Sequence, residues 1–181
     1  MQILQSIAVF CGSKSGNNPL FIQQTKLLGE FIAERKIRLI YGGGSVGIMG
    51  AIANSVMKNG GEVVGIIPKL LVEWEQQHNG ISNLIVVDDM HTRKRMMYEM
   101  SDAAIILPGG NGTLDELFEI LTWNTLKIHE MKVYILNCAG FYDNLIAHLN
   151  IMQSEGFLYD DWQSRIIICN TTQEIMNKLF P

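Results

Sequence analysis

A chain of 181 residues, 48% of them apolar, can bury one good core and is short for two, so a single domain over residues 1–181 is expected. Its formal net charge of −4 argues against the broad basic surface of a nucleic-acid binder, and no apolar stretch is long enough to span a membrane. The opening Met1–Gly16 carries no basic leader, and Cys11, Cys138 and Cys169 stand too far apart for a disulfide framework or a zinc site, so a cytoplasmic protein with reduced thiols is expected.

In chain order, Ser6–Cys11 reads as a buried strand and Pro19–Arg35 as the helix after it. Strand Arg38–Tyr41 and helix Val46–Asn59 follow, then strands Val63–Ile67 and Leu84–Val87 and helix Thr92–Met100. Strand Ala103–Leu107 leads to helix Leu114–Ile128, strand Lys132–Leu136 to helix Phe141–Ser154, and strand Arg165–Cys169 to helix Thr171–Phe180. About seven strands, apolar on both faces and alternating with helices, predict an α/β fold: a doubly wound, Rossmann-like parallel sheet with helices on both faces. Ligands of such sheets bind beyond the carboxyl ends of the strands, which directs attention to Cys11–Gly16, Gly42–Gly47, Asp88–Thr92 and Pro108–Thr113.

Two of these loops are glycine-rich. Gly42-Gly43-Gly44-Ser45-Val46-Gly47 satisfies GxGxxG, but it follows the second strand and has no clearly placed acidic residue about 20 positions on, so it is a weak dinucleotide fingerprint. Pro108-Gly109-Gly110-Asn111-Gly112-Thr113 joins a strand to a helix, where free amides and the Thr113 hydroxyl suit a phosphate. One such loop could be a plain connection; two at strand ends of one sheet point to a phosphorylated ligand.

Thr113-Leu114-Asp115-Glu116 fits a capping box, in which the glutamate only returns to a backbone amide. Thr171-Thr172-Gln173-Glu174 repeats the box without a glycine loop and serves as the structural comparison. Beside a phosphate loop, however, Glu116 would reach a bound ribose, and cleavage of a glycosidic bond builds positive charge that a carboxylate stabilises. Arg93-Lys94-Arg95 puts cations into the first turn of a helix, at a cost of roughly 0.3–1 kcal/mol per exposed charge. One charge-assisted bond to a bound anion, worth about 1.5–3 kcal/mol, would offset it. Alternatively, Asp88 or Asp89 caps this helix and Lys94 and Arg95 are solvated. The forked guanidinium of Arg93 is the best anion ligand of the three. Met96, Met97 and Met100 read as core or subunit contact, Trp123 likewise, and the four histidines form no metal pair.

Three motifs in order, GGGSVGIMG at Gly42–Gly50, MHTRKRMM at Met90–Met97 and PGGNGTLDE at Pro108–Glu116, closely resemble the LOG family, the cytokinin riboside 5′-monophosphate phosphoribohydrolases. The likeness runs from about Ser6 to Phe157. It implies a Rossmann-like homodimer with its site near the subunit interface, which hydrolyses a nucleotide to free base and ribose 5-phosphate; bacterial members resemble AMP nucleosidases. By the same resemblance Arg93 and Glu116 match the catalytic pair, and Lys94, Gly109, Gly110, Asn111, Gly112, Thr113, Leu114, Asp115 and Thr122 match nucleotide-contacting positions, with Gly43, Gly44 and Ser45 as a companion loop. No cofactor or metal is implied. Plant members carry a glutamate shortly after the proline that Pro68 resembles, whereas Lys69 and Leu70 follow here. Members are also labelled lysine decarboxylases, a chemistry needing a pyridoxal phosphate lysine, for which Lys14 is the one candidate. A nucleotide sensor or carrier on the same scaffold is the alternative to an enzyme.

Overall fold

The computed structural model describes residues 4–72 and 76–181. Its elements are β1 (Ser6–Phe10), α1 (Pro19–Glu34), β2 (Arg38–Tyr41), α2 (Gly47–Lys58), β3 (Val63–Pro68), β4 (Asn83–Val87), α3 (Met90–Glu99), β5 (Ala103–Ile106), α4 (Asn111–Thr125), β6 (Lys132–Leu136), α5 (Asp143–Ser154), β7 (Ile166–Cys169) and α6 (Thr172–Leu179). Seven strands form one sheet in the order β4-β3-β2-β1-β5-β6-β7, and each neighbouring pair is parallel. This is the expected doubly wound sheet. The chain starts at the centre, winds out to β4, then crosses back to place β5 on the other side of β1, with Val9 opposite both Tyr41 and Ile105.

Alternation along the strands builds two cores. Ile7 and Val9 pack with Leu39, Ile105 and the buried faces of α1, α2 and α6, including Leu28, Ile52 and Ile175. Ala8 and Phe10 pack with Ile40, Ile106 and the opposite helices, including Met97, Leu117 and Leu149. Both faces of the central strands are therefore apolar, as a parallel sheet requires. Among the described residues no helix is long and apolar enough to cross a membrane.

Three helix starts differ from the sequence expectation by two residues or more. Helix α3 begins two residues early, at Met90, because Asp89 caps it: the Thr92 amide donates to Asp89 Oδ1 at 2.8 Å and the Thr92 hydroxyl to Oδ2 at 2.9 Å. Helix α4 begins at Asn111, three residues early, with Gly110 at its cap position. Helix α5 begins late because the Asn137 side chain accepts the Tyr142 amide and donates to Asp143, each at 2.7 Å, closing a 3-10 turn at Cys138–Gly140 ahead of it. Helix α6 uses its box as expected: the Glu174 amide donates to Thr171 Oγ1 at 3.2 Å, and Glu174 Oε2 accepts the Asn170 amide at 2.8 Å. Thr171→Ala is expected to lower the unfolding free energy by about 1 kcal/mol, read by urea denaturation, without affecting the cleft described next.

Candidate active site

A cleft of about 520 Å³ opens at the carboxyl ends of the central strands. It lies at the switch point between β1 and β5, where one strand leads to a helix on one face of the sheet and its neighbour to a helix on the other. The loop after β1 is stitched into both sides of the opening. The Gly12 amide donates to the Pro108 carbonyl at 3.1 Å, and the Gly12 carbonyl accepts the Met49 amide at 3.2 Å. Gly47, at φ +61°, is needed for this closeness, since a Cβ there would sit 2.4 Å from the Ser13 carbonyl carbon.

The far wall is the start of α4. This 15-residue helix has no side-chain cap, so the amides of its first turn and the positive end of its dipole are presented to the cleft. Added Cβ atoms at Gly110 and Gly112 would meet nothing within 4 Å. These glycines leave room in front of the amides. The approach to the turn is anchored from below by the buried Tyr142, whose hydroxyl donates to the Leu107 carbonyl at 2.7 Å; burial pushes its pKa up, so the hydroxyl keeps its proton.

Glu116 and Arg93 line the same cleft. Because α4 starts at Asn111, Glu116 stands in its second turn, beyond capping range, and the capping-box alternative fails for it while it holds for Glu174. Arg93 is 4% exposed; its Nε donates to the Ile66 carbonyl at 3.1 Å and its Nη2 to the Gly42 carbonyl at 3.2 Å, at the ends of β3 and β2. Gly42 makes room for it: a Cβ there would lie 2.1 Å from Nη2. Asp115 also faces the cleft, with Pro108 to Thr113, Ser13 and Lys14.

Other expected contacts lie elsewhere. Gly43, Gly44 and Ser45 do not line the cleft: the Gly43 carbonyl accepts the His78 amide at 2.9 Å, Gly44 bridges to Gln77, and Ser45 donates its amide and hydroxyl to the Gln76 carbonyl. Of that glycine run, Gly42 is the residue in the cleft wall, and Gly43 to Ser45 pair with residues 76–78. Lys94 is turned away, 3.1 Å from Asp115 Oδ2 and 2.9 Å from Glu119 Oε2. Burial acts to lower its pKa, but hydrogen bonds and charge from the two carboxylates outweigh this and raise it. Leu114 packs into the core beside α3 and α5. Thr122 donates to the Phe118 carbonyl at 2.7 Å and lines a second, apolar depression with Leu121, Leu126 and Phe157.

The sequence reading missed the apolar wall, made by Phe21, Met49, Leu71, Met90, Met97 and Phe141. Met90, Arg93 and Met97 follow the i, i+3, i+7 spacing of one helix face, a signal that could have placed both methionines beside Arg93. Lys69 pairs with Asp88 at 2.5 Å on the surface, and Leu71 takes the cleft position in the segment after Pro68. Among the described residues no group of three or more His, Cys, Asp or Glu could hold a metal ion.

The family described as "possible lysine decarboxylase" matches residues 49–179. A probable cytokinin riboside 5′-monophosphate phosphoribohydrolase of Oryza sativa subsp. japonica is 43% identical over 173 residues, 96% of this chain and 78% of the relative. The cytokinin riboside 5′-monophosphate phosphoribohydrolase of Rhodococcoides fascians is 42% identical over 166 residues, 91% of this chain and 84% of its own. Among solved structures, the Moco carrier protein from Chlamydomonas reinhardtii superposes with a TM-score of 0.73 at 16% identity, covering 97% and 95% of the two chains. The molybdenum cofactor binding protein of Rippkaea orientalis does so at 0.73 and 21%, covering 99% and 100%. At these identities the two structures show a shared fold.

Lysine decarboxylation with pyridoxal phosphate would need a lysine able to shed its proton beside the cofactor. Lys94 does not line the cleft and is held charged by Asp115 and Glu119, and Lys14, the one lysine in the cleft wall among the described residues, is exposed. The residues do not fit that cofactor. Two glycine substitutions separate the roles of the loops. Gly42→Ala is expected to destabilise the fold by about 1–3 kcal/mol by displacing Arg93. Gly112→Ala is expected to stabilise α4 by roughly 0.5–1 kcal/mol while weakening binding of a phosphorylated ligand, with urea unfolding and calorimetry as the two readouts.

Proposed function

This chain belongs to the LOG family of cytokinin riboside 5′-monophosphate phosphoribohydrolases, and on that premise we propose that it hydrolyses the N-glycosidic bond of a nucleoside 5′-monophosphate, a cytokinin riboside monophosphate or AMP, to free base and ribose 5-phosphate. The observation that carries this is the meeting of Glu116 and Arg93 in one cleft with the uncapped start of α4. The volume, about 520 Å³, falls in the range of small-molecule sites, and the walls divide into polar loops for phosphate and ribose and an apolar side for a purine.

In this reading the amides of Gly109 to Thr113 hold the 5′-phosphate and Asp115 accepts from the ribose. Glu116 faces the anomeric carbon, where its charge stabilises the oxocarbenium-like transition state and orients the attacking water. Water oxygen bonds to the anomeric carbon, the bond to the base nitrogen breaks with its electron pair going to the base, and a proton released from water balances the departing base. Arg93, fixed by two strand-end carbonyls, supplies positive charge at a set position on the anionic side.

Family membership also supports a homodimer. The exposed Leu126 and Phe157, 64% and 77% accessible, edge the apolar depression that a second copy would cover. Leu126→Glu is expected to shift the protein from dimer to monomer in sedimentation. A cytoplasmic location is supported by three cysteines that are all buried as thiols.

Chromatography tests the activity. Incubation with AMP, with isopentenyladenosine 5′-monophosphate and with the two unphosphorylated nucleosides is expected to release base from the monophosphates alone. Nucleotide binding without base release would make the protein a carrier. Glu116→Gln is expected to lower kcat by about 100-fold or more with nucleotide affinity retained; an unchanged kcat would remove Glu116 from the chemistry.

A further inference from the structure

Adjacent residues of α3 point to different neighbours. Arg93 reaches the ends of β2 and β3, while Lys94 reaches across to α4, where its ammonium lies between Asp115 and Glu119. One helical turn after Lys94, Tyr98 donates to Glu119 Oε2 at 2.9 Å and touches the Glu116 carbonyl at 3.4 Å. The Lys94 and Glu119 side chains are 9% and 20% exposed, whereas Asp115 is 61% exposed. The inner contacts, Lys94 to Glu119 to Tyr98, are thus the least screened part of the network.

On α4, Asp115 and Glu119 are four residues apart and share a face, and Glu116 is turned about 100° from Asp115 around the axis. Whatever fixes the first pair fixes the direction of Glu116. We infer that Lys94 is a positioning residue, which together with Glu119 and Tyr98 sets the rotation of α4 and so the place of the Glu116 carboxylate, and that it does not contact the nucleotide. The inference rests on the role given to Glu116 above. A rotation of about 10° moves a group some 5–6 Å from a helix axis by about 1 Å, and a misplacement of that size costs about 100-fold in rate. Burial with the Glu119 carboxylate beside it raises the Tyr98 pKa, so that hydroxyl remains a donor at any pH where the enzyme works.

Steady-state kinetics on the full-length protein tests the inference. Lys94→Met and Glu119→Gln are each expected to lower kcat by up to about 100-fold with KM for the monophosphate unchanged, because each change removes an ion pair inside the protein while the amides at the start of α4 and the exposed Asp115 carboxylate remain to meet the ligand. Lys94→Arg is expected to recover part of kcat. Lys94→Met leaves the half-buried Glu119 carboxylate without its cation; if it fails to fold, the double variant Lys94→Met/Glu119→Gln removes both charges and is expected to fold with the same low kcat and native KM. A rise in KM at unchanged kcat in the Lys94 variants would make Lys94 a nucleotide contact and overturn the inference, as would wild-type kcat in Glu119→Gln. Absence of base release by the wild-type protein would overturn the activity itself, and the positioning role with it.

Discussion

The parting of β1 and β5 is the constraint on which the rest of the structure depends. These strands are paired along their length, Phe10 against Ile106 at the last rung, yet one continues into a helix packed on the first core and the other into a helix packed on the second. Divergence of two hydrogen-bonded neighbours leaves an opening that no strand can fill. The Gly12 to Pro108 hydrogen bond sets its width. Glycine at 12 and 109 follows from geometry, because the chains approach at backbone distance on the floor, whereas a Cβ at Gly110 would meet no protein atom within 4 Å.

Charge is distributed around this opening in an order the sequence alone does not display. Three cations at the helix start expected from the sequence look like an electrostatic error awaiting an anion, but α3 begins at Met90 and they are its fourth to sixth residues. In the folded chain Asp89 already caps that helix, and the hydrogen bonds from Thr92 hold its carboxyl below the usual range. Arg93 and Lys94 extend away from the helix start, one to strand-end carbonyls and the other to carboxylates on α4. The local penalty is thus met mostly by fixed protein groups. In the role proposed for Arg93, a guanidinium already held in place is more useful to catalysis than one that must be recruited when the ligand arrives.

The architecture was legible because the strands carry apolar residues on both faces and mostly alternate with helices; those are local properties of the chain. That Glu116 and Arg93 stand in the cleft wall was legible for a different reason: the glutamate fits a capping box but follows a glycine loop, and the arginine breaks a local rule by opening a helix. The apolar wall was not legible. Met49 belongs to α2, Met90 and Met97 to α3, and Phe21 and Phe141 to segments 120 residues apart, and only the winding of the sheet brings them to one place. The same limit applies to Gly43, Gly44 and Ser45. In the folded chain their backbone pairs with residues 76–78, and Gly42 before them leaves space for Arg93. A sequence pattern reports that backbone must come close to something without saying to what.

The composition of that wall bears on how finely such a site can choose its base. Adenine and an N6-alkylated adenine leave from the same ring nitrogen with the same demand on the carboxylate, so the reacting end of the cleft has little basis to separate them. Discrimination falls to the apolar side, where an extra methylene is worth only about 1–3 kcal/mol. Methionine, with three soft torsions, repacks around either shape more readily than branched or aromatic neighbours do. Three methionines line this cleft, two of them on the helix that also carries Arg93 and Lys94. A wall of that kind favours tolerance at the base, while on the proposed reading the phosphate, facing the rigid amides at the start of α4, is the part of the ligand that the fold is built to demand.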